Sequence, residues 1–500
     1  MIMKTYIPFF VLCILISCST PHQKKISLEQ ALSFAGENRI ELEKVFEHYK
    51  NDSLKLKAAE YLITNMPLHF SRVEYYLSPE GKQYIPDIAC FPDKEAVKMH
   101  CDSLRNRGYT IQGNNIYDSK TLKSDFLIRN IDLAFQVREK PWAKDIPFED
   151  FCRYILPYRT QVEPVSNMRR EFMEKYLPLI DSGKVNNAID ACKIINSQLM
   201  KELVYKDTGS PLYPTVESTY HSGRGSCEDL CNLATLLMRA VGIPVAVQLT
   251  TWTKMDLAHS WGVVLHDGKF YNFSPVYGQP DTYREKLETT SYLKPAKVYR
   301  LLFDPEFKET DIKDDGYITN LKSPLLRDVT KEEGYQVLDI CIETDKPVSS
   351  SIKQIYLCTY NDYDWKPLAI GSRKGSTCRF KDIVGNNIFI IAEASNTQSL
   401  QYITAPFILK KDGDIHKLIP QKELSQSFTF NKRKNKLNQK HTLHYWDADK
   451  NGFISLEEMS STDTTQTYNQ IPKNALLWFT VPERILNQRV FYIENDSIKY

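Results

Sequence analysis

The chain has 500 residues, more than one hydrophobic core usually supports, so roughly three or four domains are expected. Hydrophobic residues make up 42% and charged residues 25%, as in ordinary soluble globular protein. With 64 basic against 62 acidic residues the net charge is +2, and nothing in these totals points to a nucleic-acid partner.

Lys4 precedes an almost unbroken apolar run from Ile7 to Ile16, which is short for a mature membrane helix and is followed by small residues. The run ends in Leu15-Ile16-Ser17-Cys18, which resembles a bacterial lipobox: an aliphatic residue, a small residue, then the cysteine that receives lipid. That resemblance implies a signal peptide over residues 1–17, lipidation at Cys18 and anchoring to a membrane. Ser19, with no Asp after Cys18, resembles the pattern sent on to an outer membrane, so a lipid-anchored place in the bacterial cell envelope is expected. Eleven cysteines are present; without Cys13 and Cys18 nine remain, with no CxxC pair and no dense framework. An odd number leaves at least one thiol free.

Residues 18–185 are expected to be mainly helical. Ser27-Leu28-Glu29-Gln30 reads as a capping box, and Leu28, Ala31, Leu32 and Ala35 follow at helical spacing. Leu42, Val45, Phe46 and Tyr49 repeat that spacing, as do Leu54, Ala58, Tyr61 and Leu62. Helical signals return at 130–137, 148–156 and 168–179, and the stretch near 75–125 is less regular.

The chemistry is expected within 186–300. His221 to Asp229 is a glycine-containing loop that runs straight into Leu230, Leu233, Ala234, Leu237, Met238 and Val241 at helical spacing. Gly242 and Pro244 end that helix. Cys227 therefore stands in the first turn, where unpaired N–H groups and the helix dipole favour an anion and predict a depressed thiol pKa. The same N–H groups could hold an oxyanion. Val245, Val247 and Leu249 alternate as a strand, and a second strand carries His259-Ser260-Trp261. His266 to Lys269 is its hairpin turn, and Phe270 to Pro275 returns beside it. A cysteine at a helix start facing a histidine on an adjacent sheet is the papain-type arrangement.

Gly225-Ser226-Cys227 with Arg239, Gly242, Ile243 and Pro244 is similar to the GxC helix and RxxGIP close of the transglutaminase-like superfamily, and His259-Ser260-Trp261 looks like its histidine motif. The resemblance implies acyl transfer at an amide carbonyl through a thioester, with Cys227 as nucleophile and His259 as general base and then acid. Many bacterial relatives look like peptidases or amidases, so water is the preferred acceptor. The competing class is an inactive surface module that binds glycan or peptide. One departure stands out: where the family places an Asp after its histidine, this chain has Ser274. Asn272, two residues earlier on the same strand, shares a face with Ser274, and either is expected to orient His259, with Asn272 reaching farther.

From about 325 the texture changes. Leu338, Ile340 and Ile342 alternate with polar residues, and further short strands follow, which predicts a β-sandwich over 325–412. A basic stretch, Lys432 to Lys440, lies within a β-rich C-terminal domain at 413–500. There Asp447 to Glu458 fits the twelve-residue EF-hand string, with Asp447, Asp449, Asn451, Phe453 (through its carbonyl), Ser455 and Glu458 as candidate Ca2+ ligands. Its flanks do not read as helices, so an Asn-Gly hairpin is the alternative. The expected fold is α+β: a helical N-terminal region, a papain-like transglutaminase core and antiparallel β domains. A peptide, protein or glycan at the envelope is the expected partner, and no cofactor is required.

Overall fold

The computed structural model describes residues 26–181, 185–306, 315–345, 354–431, 441–459, 465–480 and 489–500. The expected signal peptide, Cys18 and the Lys432 to Lys440 stretch lie outside the described residues. Helices and antiparallel sheets are segregated along the chain, so the fold is α+β.

The predicted capping box is present: Ser27 Oγ accepts from Gln30 N–H, and Gln30 Oε1 accepts from Ser27 N–H. Helices Leu28–Ala35, Arg39–His48, Ser53–Asn65, Ser124–Arg138, Phe148–Tyr154, Arg169–Asp181 and Ala188–Glu202 follow the apolar periodicity. The less regular stretch holds a three-stranded sheet, with Phe70–Leu77 between Gln83–Tyr84 and Thr110–Tyr117. Residues 110–117, TIQGNNIY, show no apolar alternation because neither face of that edge strand is buried.

We label the central elements α1 (Cys227–Ala240), β1 (Val245–Thr251), β2 (Ala258–His266), β3 (Lys269–Phe273), α2 (Tyr283–Thr289), β4 (Tyr299–Leu301) and β5 (Leu326–Asp328). The strands form an antiparallel sheet in the order β5-β4-β1-β2-β3. One face of it, through Val245, Val264 and Phe273, packs on α1 and joins the same apolar cluster as the N-terminal helices. The other face, through Ala246, Trp261, Val263 and Leu265, packs on Tyr283 and Leu287 of α2. Gly262 is required by the first face, since a Cβ there would lie 2.2 Å from Phe273 Cζ. Gly242, at φ +83°, turns the chain out of α1.

Beyond this sheet, strands from Val337–Glu343 to Ile415–Lys417 form one hydrogen-bonded antiparallel path. Gln354–Asn361 and Asn387–Ala394 are buried on both faces, which explains their near-continuous apolar sequence. Ile355, Leu357, Phe389 and Ile391 fill one cluster, while Tyr356, Cys358, Ile388 and Ile390 meet Trp446 and Leu476 of the C-terminal part in another. Among the described residues no helix is long and apolar enough to cross a membrane. All nine described cysteines are free thiols.

Candidate functional site

Ser226 caps α1: its hydroxyl accepts from Asp229 N–H, and the Asp229 carboxylate accepts from Ser226 N–H at 2.8 Å. Cys227, the first helical residue, is half-buried. Burial pushes its thiol pKa up, and the Glu228 and Asp229 carboxylates add to that. The backbone N–H groups of Ser260 and Glu228 pull the other way without prevailing. The depressed pKa expected from the helix start is therefore corrected to a raised one: loss of solvent, with the Glu228 and Asp229 charges, outweighs the two backbone N–H groups. One turn on, the buried Cys231 thiol donates to Ser260 O at 3.4 Å, so α1 grips β2 at Ser260.

His259 stands next to Ser260 at the start of β2. Its ring packs against two indoles, 5.5 Å and 23° from Trp252 and 5.9 Å and 29° from Trp261, which themselves stack 6.5 Å apart. Burial holds its pKa down at about 4, so the imidazole is neutral at rest. Its Nε2 is 2.8 Å from the hydroxyl of Tyr283, a buried residue at the start of α2. No hydrogen bond joins His259 to Cys227.

Neither residue expected to orient His259 does so. Asn272 pairs with Val263, four residues along β2 from His259 and therefore about 13 Å away. Its amide donates instead to Glu333 at 2.9 Å. Ser274 stands where β3 turns away, and its hydroxyl accepts from the N–H groups of Val276 and Tyr277. The expected contacts of Asn272 and Ser274 with His259 are thus corrected: the side chains against the ring are Trp252, Trp261 and Tyr283. Trp252 and Tyr283 were missed because they lie on a strand-end loop and a short helix with no motif spacing to the histidine.

A model of the transglutaminase-like superfamily matches residues 179–275, which include Cys227, His259, Asn272 and Ser274. This segment is a transglutaminase-like core. Solved structures similar to the chain include a candidate cysteine protease from Cytophaga hutchinsonii, 17% identical over 23% of this chain, with a TM-score of 0.20. The chain spans only 38% of that protein's length. Red sea bream transglutaminase is 9% identical over 82% of each chain, with a TM-score of 0.19. Neither superposition supports a residue-by-residue correspondence. No curated protein matches the chain.

The transglutaminase-like core is braced from two sides. Beneath the sheet, the buried Glu333 carboxylate accepts from Gln248 of β1 at 2.7 Å, Asn272 of β3 at 2.9 Å and Arg284 of α2 at 3.1 Å. From the β region, the buried Asn361 amide donates to the carbonyls of Trp252, Met255 and Leu257, and accepts from Leu257 N–H at 2.9 Å. That grip holds Leu257 at φ 75°, a conformation uncommon for a bulky residue, two positions before His259. Exposed Tyr205 and Tyr277, with rings 6.2 Å apart, border the thiol, and burial and then the Cys227 charge raise both hydroxyl pKa values.

The candidate calcium loop is corrected to a β-hairpin. His441–Asp447 pairs with Gly452–Met459, Asp447 opposite Gly452 and Thr442 opposite Glu458. Glu458 is therefore about 17 Å along the ladder from Asp447, too far to share an ion. Asp447 instead accepts from the N–H groups of Asp449 and Lys450 and pairs with Lys422 at 2.8 Å. Asp449 points into solvent at 92% side-chain exposure, Asn451 takes the turn at φ 52°, Phe453 packs on Trp446, and Ser455 meets His444. Among the described residues no cluster of His, Cys, Asp and Glu could hold a metal.

Proposed function

We propose that the protein is a thiol amidase or peptidase of transglutaminase-like type, carried at the bacterial envelope on a lipid attached to Cys18. The observation that carries the reading is Cys227 at the first turn of α1, where backbone N–H groups are unpaired, with His259 next to Ser260, the β2 residue whose carbonyl accepts from Cys231 of the same helix. At rest both groups are neutral, a thiol and an imidazole. His259 takes the thiol proton as sulfur attacks the amide carbonyl, and the N–H groups of Ser260 and Glu228 stabilise the oxyanion. The imidazolium then gives that proton to the departing amine, leaving a thioester on Cys227. Water, deprotonated by His259, hydrolyses the thioester to a carboxylic acid and restores the thiol. The exposed rings of Tyr205 and Tyr277 offer the acyl side of a peptide an apolar ledge.

The test is incubation with a library of peptide amides, read by mass spectrometry for cleavage and for an acyl adduct on Cys227. Cleavage lost in both Cys227→Ala and His259→Gln supports the reading; cleavage retained in Cys227→Ala overturns it. A second reading, an inactive module that binds peptide or glycan, is favoured by the raised thiol pKa and the lack of a Cys227–His259 hydrogen bond. Binding that survives Cys227→Ala, with no adduct on any amide, supports that alternative.

A further inference from the structure

We propose that Tyr283 is the positioning residue for His259, held in place by Arg284 and the buried carboxylate of Glu333 where the family's strand carboxylate is replaced by Ser274. This rests on the reading of Cys227 and His259 as the reacting pair. The two indoles fix the plane of the imidazole but not its orientation within that plane. Rotation by a half-turn exchanges nitrogen and C–H edges while leaving the stack almost unchanged. A hydrogen bond to one nitrogen does distinguish the two, and the 2.8 Å contact from Nε2 to the Tyr283 hydroxyl is the one that His259 makes. Burial pushes the Tyr283 pKa up, so the phenol stays protonated and is able to donate or to accept; the proton is assigned to Nε2, with the Tyr283 oxygen accepting it. Nδ1 is then left with its lone pair for the thiol proton.

Tyr283 is itself fixed by a chain of contacts that begins in the sheet. Gln248 and Asn272 hold the Glu333 carboxylate. Arg284, the next residue after Tyr283, reaches Glu333 twice, through its carboxylate at 3.1 Å and its carbonyl at 2.6 Å, and stacks 4.4 Å from the Tyr335 ring centroid. Gly278 lets the Tyr283 ring close over it, since a Cβ there would lie 2.8 Å from Tyr283 Cδ2. Asn272 thus acts on His259 at one remove, by way of Glu333, Arg284 and Tyr283. The imidazolium formed in the reaction meets no carboxylate in this arrangement; its aromatic neighbours are the Trp252 and Trp261 rings, at 5.5 and 5.9 Å.

The experiment uses the full chain, labelled with 15N-histidine, with His259→Gln assigning the His259 signals. In the wild type the nitrogen shifts should report the Nε2–H tautomer. Tyr283→Phe, which keeps the ring and removes the hydroxyl, should lose that bias and slow iodoacetamide alkylation of Cys227 at neutral pH by roughly three- to tenfold. Arg284→Met should move both readouts in the same direction by less. An unchanged tautomer in Tyr283→Phe overturns the proposal, even if alkylation slows, because packing alone would then explain the rate. The tautomer readout needs no substrate, so a wild type that cleaves no peptide amide sinks the amidase reading without touching this one.

Discussion

Two regions carry strings with specific chemical meaning, and the structure treats them oppositely. In the thiol core, the GxC and histidine motifs fall on a helix start and a neighbouring strand, and the Cys231–Ser260 hydrogen bond ties the two elements together. In the C-terminal region, six oxygen-bearing positions at EF-hand spacing are laid out along a β-hairpin, Asp449 and Asn451 in its turn and the others on its strands. A ligand string describes a backbone curvature as much as a set of side chains. Apolar residues at helical spacing after Cys227 enforce that curvature. The alternating Thr442 to Trp446 enforces a strand, and the same spacing then disperses the ligands.

The largest effect that would sharpen this contrast is at Cys227. Cys227→Ala should abolish any acyl adduct and all peptide-amide cleavage, whereas Asp447→Asn should leave both as in the wild type; mass mapping and product assays read this directly. Next comes the brace beneath the sheet. Glu333→Ala leaves Arg284 and Arg300 without their shared carboxylate and two buried amides without an acceptor. A loss of roughly 3–5 kcal/mol in chemical denaturation is expected. A loss under about 1 kcal/mol would show that the brace is dispensable.

A smaller effect follows from His259. Its folded pKa is depressed to about 4, below the unfolded value near 6.5. As pH falls through that window the unfolded chain takes up a proton that the folded chain refuses, so stability declines with acid and levels off near pH 4. His259→Gln should flatten the slope between pH 7 and pH 4 by about 1–2 kcal/mol after solvent screening. Equal slopes in the two proteins would mean that His259 titrates normally.

What was legible in the sequence divides along the same line. The helices of the N-terminal region and α1 announce themselves because each buries one apolar stripe, and Cys227 and His259 because their motifs lie close to elements that periodicity already defines. The edge strand Thr110–Tyr117 buries neither face and leaves no pattern. Asn272 does share a face with His259, as strand parity requires, but parity says nothing about distance along the strand. It is Val263, opposite Asn272, that places this residue out of reach. Tyr283 and Glu333 come to the site through tertiary packing of segments that carry no motif, so no spacing could point to them.

The smallest expected effect tests the hairpin itself. If Asp447 to Glu458 is a turn between strands, millimolar calcium should leave the melting temperature within about 1 °C of its calcium-free value, since an ion without a site adds no mass-action term. Asp447→Asn should still cost about 1–2 kcal/mol, with or without calcium. The buried carboxylate accepts two turn N–H groups and pairs with Lys422, and a neutral amide keeps only part of that. Glu458→Gln, at an exposed position on the far end of the ladder, should have a much smaller effect. An EF-hand predicts the reverse pattern, because its first and twelfth positions both ligate the ion and both variants would erase the calcium response. A calcium-dependent rise of several degrees that either substitution removes would therefore overturn the hairpin and restore the metal site.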